Sequence, residues 1–436
     1  MRKLADFVSK HGDEDTARLI LDRAKWPDID MDTAVNCIES RRKLKGKVQE
    51  WYENPDLIFP VRISAEQCSS SATAEYKAAL AERILCTTDG LSPREWNIAD
   101  LTGGLGVDSW FFSKKAAKVL YNEMQQALCE AARHNFAVLH AGGIEICNSR
   151  VTSGNIREIL AGFQPDMVYM DPARRGEGGR KVFLIEECTP DVLTLKDEIF
   201  TMCRHIMIKL SPMADIDMVC RRLGPSCREI HVISSGGECK ELLIWMDREW
   251  EDEYTITAVE IHDRDSASSF CFLMSEEKGA SHIPMTSVPE CGGTSFLFEP
   301  GKSLMKSGAF NLISARYGLP KFGMSTHYYL VSSAAAAEGL TGLGKIYAII
   351  RCESLDKRTV KAAGRDFPRS EVTARNLPMD TETLRKKLGI TSGDDAHIFG
   401  LKSDVCGNLL LCTKRVLQQD LQADANEDDS SCQLSL

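Results

Sequence analysis

The 436-residue sequence lacks the features that would place it in a membrane or hold it together with cross-links. No apolar run approaches the roughly 18–20 residues of a membrane span. The N-terminus, Met1-Arg-Lys-Leu-Ala, has no apolar core of signal-peptide length. The sixteen cysteines contain no CxxC pair, so the ligand spacing of a zinc site is absent. We therefore expect a cytoplasmic protein with reduced, mostly buried cysteines and no metal.

Positive charge is also scarce, since 53 Lys and Arg stand against 63 Asp and Glu for a net charge of −10. That balance argues against a surface uniformly basic for nucleic-acid binding. The deficit is uneven, however. The tail after Arg415 carries five acids and no Lys or Arg, whereas residues 345–387 hold eleven Lys and Arg against six Asp and Glu. The sequence therefore allows one local basic face in its C-terminal part.

Apolar residues follow different patterns in successive parts of the chain, and these patterns predict five regions. Residues 1–90 have helical spacing, and residues 91–250 alternate strands with helices. Residues 255–330 are predicted to form a small α+β module of ferredoxin-like type, and residues 333–416 a second α+β module. The acidic tail, residues 419–436, is expected to be disordered.

The alternation in residues 91–250 predicts the fold class. Alternating strands and helices give a mainly parallel sheet with right-handed crossovers, here an α/β, Rossmann-like architecture. The last two predicted strands, residues 228–233 and 241–246, are joined by a short turn that suits a hairpin. We therefore expect a seven-stranded sheet whose last strand is antiparallel.

A basic run, Arg41-Arg-Lys-Leu-Lys-Gly-Lys47, lies in the helical region. Its five cations could contact RNA. A solvated helix end explains the run at least as well, so both interpretations stay open.

A glycine-rich turn, Asp100-Leu-Thr-Gly-Gly-Leu-Gly106, lies between a predicted strand and a predicted helix. Glycines there let a ligand approach the backbone, and ligands of open α/β sheets bind beyond the carboxyl ends of the strands. No Gly-Lys-Ser/Thr follows, so the turn is not a triphosphate loop, and the charge of Asp100 would repel a pyrophosphate. A carboxylate suits a ligand with a positive amino group, such as S-adenosylmethionine (SAM).

Glu123 ends the second predicted strand, about 20 residues after the turn. A carboxylate at that point can accept hydrogen bonds from both hydroxyls of a ribose. A lone acid at a strand end is often merely exposed, but the spacing favours the ribose contact.

The segment Asp171-Pro172-Ala173-Arg174 follows an apolar predicted strand. Pro172 stiffens the backbone and leaves carbonyls exposed. The Asp171 carboxylate and a nearby carbonyl could hold an exocyclic amine with its lone pair toward a methyl donor, which is catalysis by positioning. The alternative is a turn that only ends the strand. We predict Asp171, Pro172 and Arg174 as the catalytic residues.

In this order and spacing, the three elements resemble the class I SAM-dependent methyltransferase family over about residues 64–247. The resemblance implies that the glycine-rich turn holds the methionine part of SAM. The residues implied in that contact are Asp100, Thr102, Gly103, Gly104 and Gly106. It also implies that Glu123 binds the ribose and that Asn155 lies near the adenine, with Asn148 as a competitor.

The whole chain also resembles a narrower bacterial group that joins a helical N-terminal region, a methyltransferase domain and a C-terminal THUMP-like module. The motifs that carry this resemblance are Gln67-Cys-Ser-Ser, Asp100-Leu-Thr-Gly-Gly, Asp171-Pro-Ala-Arg-Arg, Leu384-Arg-Lys-Lys-Leu and Gly393-Asp-Asp. THUMP modules are associated with RNA, so the resemblance implies methylation of a base nitrogen in tRNA or rRNA.

The sequence departs from amino-directed base methyltransferases in one place. Those enzymes often have a second proline and an aromatic residue after the acid, and the aromatic ring stacks on a flipped base. Ala173 and Arg174 occupy these positions. An arginine plane can stack on a base or bind a phosphate. The basic loop 175–181 that follows could close on RNA or be a plain surface loop.

Other functions remain open at this stage. The chain could methylate a protein or a small molecule, or it could bind RNA without catalysis on a methyltransferase-like fold. Methylation of a pyrimidine carbon is disfavoured, because Lys209-Leu-Ser-Pro212 after the fifth strand contains no cysteine nucleophile.

Overall fold

The computed structural model describes residues 2–174, 185–263, 266–289, 291–292, 295–417 and 420–421, without the side chains of Arg2 and Arg174. The predicted loop 175–181 lies outside the described residues, as does the predicted tail apart from Asp420 and Leu421. The chain divides into two compact units, one holding most residues up to 254 and the other most residues from 255 onwards. None of the described helices is both long and apolar enough to cross a membrane.

The N-terminal region is helical, as predicted. Its α-helices are α1 (Arg2–His11), α2 (Thr16–Leu21), α3 (Met31–Leu44), α4 (Gln49–Glu53), α5 (Arg62–Gln67) and α6 (Ser71–Thr88). Polar side chains fix where the longer helices begin. The Asp30 carboxylate accepts the Thr33 N–H at the start of α3, and the Ser70 hydroxyl accepts the Thr73 N–H at the start of α6.

The basic run 41–47 is mostly structural. The buried Arg41 guanidinium donates to four backbone carbonyls between Tyr52 and Leu57. Arg42 donates to the carbonyl of Gly12, and the Lys47 ammonium donates to the carbonyls at the end of α5. Three of the five cations are therefore occupied with backbone oxygens, which favours the structural interpretation over RNA contact.

A mainly parallel sheet forms the centre of the first unit. Its strands are β1 (Asn97–Asp100), β2 (Lys118–Asn122), β3 (Ile144–Cys147), β4 (Met167–Met170), β7 (His205–Leu210), β8 (Cys227–Ser235) and β9 (Glu238–Asp247), and β5 (Ala173–Arg174) pairs with β6 (Cys188–Thr189) in a separate ladder. The helices between them are α7 (Val107–Ser113), α8 (Gln126–Val138), α9 (Ile156–Ala161), α10 (Val192–Phe200) and α11 (Ile216–Leu223).

The strand order within this unit is β3-β2-β1-β4-β7-β9-β8. The first five of these strands pair in parallel, and β9 runs antiparallel to β7. The predicted α/β, Rossmann-like fold with an antiparallel last strand is confirmed. The unit has more strands than the seven predicted, because the short β5–β6 ladder was not foreseen.

Every residue of β4 is buried, which is typical of a parallel strand covered by helices on both faces. The carboxyl ends of β1, β2, β4 and β7 therefore meet at one edge of the sheet. That edge carries the candidate site.

The second unit is built on an eight-stranded sheet. The strands of that sheet are β12 (Ile283–Pro284), β13 (Phe296–Pro300), β14 (Pro320–Gly323), β15 (Thr326–Val331), β16 (Gly344–Ser354), β17 (Arg369–Arg375), β18 (Thr391–Ser403) and β19 (Gly407–Val416). Two further strands precede it in the chain, β10 (Thr255–Ile261) and β11 (Ala267–Leu273). Its helices are α12 (Met274–Gly279), α13 (Lys302–Ser307), α14 (Leu312–Tyr317), α15 (Ala334–Glu338), α16 (Lys357–Asp366) and α17 (Thr381–Leu388). The sheet order is β12-β14-β15-β13-β16-β19-β18-β17, and β10 and β11 form an antiparallel hairpin.

This sheet has a hydrophobic core on each face. Successive residues alternate between the cores, as a strand requires. Ile398 and Leu410 belong to the core beneath α16 and α17, whereas Phe399 and Leu411 belong to the core on the other face. Because β13 pairs with β16, the two predicted C-terminal modules share one sheet.

Candidate active site at the carboxyl edge of the sheet

The glycine-rich turn connects β1 to α7, and its glycines are needed for two different reasons. Gly104 and Gly106 have φ values of +53° and +94°, the left-handed region that favours glycine. Gly103 is needed for space, because a β-carbon there would lie 2.2 Å from Cε2 of Tyr121. The turn therefore presents bare backbone to the edge of the sheet.

Asp100 holds the glycine-rich turn against the start of α7 through hydrogen bonds of its carboxylate. Its carboxylate accepts the Thr102 N–H at 3.0 Å and the Ser109 hydroxyl at 2.6 Å, and the residue is buried. Burial raises the pKa of Asp100 to about 7 against the lowering effect of these hydrogen bonds. Asp100 does not line the cavity described below, so its link to a ligand runs through the turn.

Glu123, at the end of β2, joins the turn to the second strand. Its Oε2 accepts the Gly104 N–H at 3.0 Å, and its Oε1 accepts the Gln125 N–H at 2.8 Å. Each carboxylate oxygen keeps a further acceptor position. The side chain is thus fixed in place and still able to accept hydrogen bonds from a diol.

A cavity of about 220 Å³ opens at this edge. Six predicted site residues line it: Thr102, Gly103, Gly104, Gly106, Glu123 and Asp171. Pro172 and Asn155, like Asp100, do not, and the side chain of Arg174 is outside the described structure. The wall also contains residues 67–69 ahead of α6, which belong to the Gln67-Cys-Ser-Ser motif of the resemblance. Residues 149–151 after β3 line it as well and were not predicted as contacts.

Asn155 and Asn148, the two asparagines predicted near the adenine, do not line the cavity but hydrogen-bond to residues that do. Asn155 donates to the Ser149 hydroxyl and to the carbonyl of Arg150, and Asn148 donates to the carbonyl of Glu123. The segment 149–151, rather than either asparagine, lines the cavity.

Asp171 follows β4 and is held by two contacts. Its N–H donates to the Thr102 hydroxyl at 2.6 Å, which ties the loop to the glycine-rich turn. Its Oδ2 lies 2.5 Å from the Nζ of Lys209 at the end of β7. Burial lowers the pKa of Lys209, but the carboxylates of Asp171, Glu241 and Asp108 outweigh burial and raise it above its usual value. Lys209 is therefore an ammonium paired with the predicted catalytic acid.

A second ion cluster lies beside this pair. The fully buried Lys77 ammonium of α6 is 3.1 Å from Asp108 Oδ1 and 3.0 Å from Glu241 Oε1. The other Asp108 oxygen accepts the hydroxyls of Ser69 and Tyr169, both at 2.9 Å. Burial would raise the pKa of Asp108, yet Lys77 and Lys209 hold it below its usual value, so the cavity wall carries a carboxylate at Asp108.

Sequence reasoning missed Lys77, Asp108, Lys209 and Glu241 as site residues. A signal was present for three of them. Lys77 lies within the apolar part of a helix, and Lys209 and Glu241 lie in otherwise apolar strands. Charged residues are almost never buried unless they are paired. Such positions therefore predict partners, although not which partners.

A metal centre finds no support in the described part of the chain, where no group of three or more His, Cys, Asp or Glu side chains could hold an ion. The polar side chains of the cavity wall are instead carboxylates, hydroxyls, carboxamides, the Cys68 thiol and the Arg150 guanidinium.

The chain is similar to a candidate methyltransferase from Porphyromonas gingivalis W83. The two are 26% identical with a TM-score of 0.81, and the match covers 95% of this chain and 98% of that one. Two short regions also match known families. Residues 296–336 match a ferredoxin-like domain, and residues 344–414 match the THUMP domain-like family.

The chain has the architecture of a methyltransferase with a C-terminal THUMP-like domain. Two lower-scoring likenesses each cover less than half of this chain. An rRNA methylase from Streptococcus thermophilus is 12% identical with a TM-score of 0.29, over 38% of this chain and 93% of that one. A candidate methyltransferase from Streptococcus mutans, solved with SAH, is 12% identical with a TM-score of 0.27, over 39% of this chain and 96% of that one. No curated protein matches the sequence.

Proposed function

We propose that the chain is a SAM-dependent methyltransferase that modifies RNA. The observation that carries the proposal is the cavity, where the bare turn at Gly103 and Gly104, the fixed carboxylate of Glu123 and the loop at Asp171 meet at one edge of the sheet. In an open α/β sheet this edge is where ligands bind.

The residues of the cavity fit SAM. Gly103 and Gly104 line the cavity with backbone, against which the methionine part can lie. Glu123 has acceptor positions for the ribose hydroxyls. The carboxylate of Asp108 also lines this cavity. SAM supplies an electrophilic methyl group on a sulfonium sulfur.

Basic residues of the THUMP-like region support RNA as the substrate. Several cations of residues 345–387 pair with acids, for example Arg351 with Asp366 and Arg369 with Asp395. Others form no salt bridge in the described part of the chain, although Arg358 lies near Asp356 and Lys386 near Asp380: Lys357, Arg358, Lys361, Lys386 and Lys387. Three of these, Lys357, Lys361 and Lys387, surround a cavity of about 590 Å³. Unpaired cations are the groups that neutralise RNA phosphates.

The acceptor predicted from Asp171-Pro172-Ala173-Arg174 is a base nitrogen in tRNA or rRNA. This part of the proposal rests on the position of Asp171 at the cavity and on the resemblance of the motif. A hydroxyl group is the competing acceptor, and the contact of Asp171 with Lys209 bears on that choice.

Two measurements test the proposal. Calorimetry should detect binding of SAM or S-adenosylhomocysteine below millimolar concentration. Mass spectrometry of nucleosides from total RNA of a deletion strain should show the loss of one methylated nucleoside, restored by the wild-type gene and not by an Asp171→Ala gene. Absence of binding would contradict the SAM part. Unchanged RNA, together with activity on a protein or small molecule without nucleic acid, would contradict the RNA part.

A further inference from the structure

The reactive end of the cavity carries a closed ion pair rather than a free carboxylate. Asp171 lines the cavity, and its Oδ2 contacts the Lys209 ammonium at 2.5 Å. The side chain of Asp171 is 36% exposed and that of Lys209 only 12%. An acceptor group that hydrogen-bonds to the remaining oxygen, Oδ1, would therefore also lie near a poorly solvated positive charge, where Coulomb interactions are strong.

From this geometry we infer that the methyl acceptor is a hydroxyl group, and on the proposed RNA substrate the ribose 2′-hydroxyl, with Asp171 and Lys209 as the catalytic pair. The inference rests on the proposed function and replaces the base nitrogen that the sequence predicts. It assigns a role to Lys209, which the motif at Asp171 does not require.

The sign of the charge that develops on the acceptor favours oxygen. A neutral amine needs no base before it attacks, and it becomes positive as the new bond forms. A nearby ammonium opposes that change. A hydroxyl must lose its proton as it attacks, so its oxygen gains negative character. Lys209 stabilises that charge, and Asp171 accepts the proton.

The surrounding ions keep Lys209 charged and in place. Lys77 neutralises Glu241 and Asp108 from the far side, through contacts of 3.0 and 3.1 Å. The charged and titratable groups that act on Lys209 are the carboxylates of Asp171, Glu241 and Asp108, with Lys47 and Cys68 also near. Lys77 and Glu241 are thus positioning residues. A loop that only orients an amine acceptor requires neither Lys77 nor Lys209.

The part of the cavity wall that the structure describes offers no aromatic platform for a flipped base. Its described lining contains no Phe, Tyr or Trp side chain. After Asp171 the wall continues with Ala173, Thr189 and Pro190. Base-directed enzymes usually stack the flipped base between aromatic or apolar side chains, whereas a ribose hydroxyl can be reached without extruding a base.

The proposed step balances as follows. The 2′-oxygen bonds to the methyl carbon while the carbon–sulfur bond breaks, and that electron pair stays on sulfur. The hydroxyl proton passes to Oδ1 of Asp171 and then to solvent. Lys209 remains protonated throughout and acts through its charge.

The decisive experiment locates the methyl group. The full-length protein is incubated with methyl-labelled SAM and RNA from a strain without the gene. One portion of the RNA is digested to nucleosides for mass spectrometry, where the expected product is a 2′-O-methylnucleoside. A second portion is treated with alkali, and the label is expected in dinucleotides, because a 2′-O-methyl group blocks cleavage of the adjacent phosphodiester bond. Label on a base would overturn the inference and leave the RNA methyltransferase standing. Absence of label from RNA would overturn both.

A pair of variants tests Lys209 itself. Lys209→Met should lower the methylation rate 10²–10³-fold, whereas Lys209→Arg, which keeps the charge, should recover at least tenfold of that loss. Both should bind S-adenosylhomocysteine within threefold of wild type by calorimetry, which shows a folded cofactor site. Lys118→Met, at an exposed lysine, is the control. Equal rates for Met, Arg and wild type would overturn the role of Lys209.

Discussion

The ring of Tyr121 lies directly behind Gly103, so closely that a β-carbon on the glycine would stand 2.2 Å from Cε2. Tyr121 is fully buried, and its hydroxyl donates to the carbonyl of Gly104 at 2.6 Å. The ring therefore has no room to withdraw. This contact links the second strand to the ligand-facing turn of the first.

Gly103→Ala should accordingly damage both stability and cofactor binding. Overpacking against an immobile ring costs about 1–3 kcal/mol, and the displaced turn should weaken SAM binding at least tenfold. Urea denaturation and calorimetry measure the two effects. Gly142→Ala is the matched control, because its β-carbon would meet nothing within 4 Å and its φ is not positive. Equal losses in both variants would contradict this explanation.

Glu123→Gln should weaken SAM binding by about 10–100-fold, or roughly 1.4–2.7 kcal/mol. The amide removes one acceptor and turns an NH₂ group toward a backbone N–H that the carboxylate now accepts, at Gly104 or Gln125. Calorimetry gives the affinity. Glu130→Gln, on the exposed face of α8, should bind as wild type does. An unchanged affinity in Glu123→Gln would remove Glu123 from the ribose site.

Lys77→Met should destabilise the first unit by about 3–5 kcal/mol, because it leaves the Glu241 and Asp108 carboxylates buried without their cation. Chemical denaturation measures the free energy of unfolding. Lys115→Met removes a lysine whose pair with Glu82 is partly exposed, so it should cost about 1 kcal/mol or less. Similar costs for the two variants would show that the Lys77 cluster is not energetically special.

Asp100→Asn should flatten the pH dependence of stability. The folded pKa of about 7 is raised above the usual 3.8, so the folded state favours the protonated acid. The resulting stability is complete below pH 4 and is lost as pH rises through 7. Asparagine has no such loss and should be the more stable residue above pH 7, by on the order of a few kcal/mol. Unfolding by urea between pH 4 and 8 tests this, with the exposed Asp28→Asn as control. A parallel pH dependence in wild type and Asp100→Asn would contradict the shift.

Much of the fold could be predicted because it depends on local patterns. The buried run of β4 and the turn at Gly103 and Gly104 are continuous stretches of sequence, and the mainly parallel sheet follows from the alternation of strands and helices. The short β5–β6 ladder could not be predicted, since two-residue strands carry no periodicity.

The cavity was only partly predictable, for a physical reason. Thr102 and Glu123 lie within motifs and were found. Lys209 meets Asp171 from 38 residues away, and Lys77 meets Glu241 from 164 residues away. Such pairs depend on which strands are neighbours and on how far each side chain reaches. Asn155 was predicted to lie near the adenine, but it does not line the cavity, and its side chain donates to the carbonyl of Arg150 in its own loop.

The pairing of Phe296–Pro300 with Gly344–Ala348 has a consequence for how the C-terminal half can be cut or transplanted. The ferredoxin-like and THUMP-like segments match separate families, yet each completes the backbone hydrogen bonds of the other. A cut between residues 336 and 344 would leave each fragment with an edge strand whose backbone N–H and C=O groups are unpaired, which favours aggregation. We therefore do not expect the THUMP-like segment of this protein to fold when it is expressed without the ferredoxin-like segment. Truncation experiments should therefore keep the two matched segments, residues 296–336 and 344–414, on one fragment.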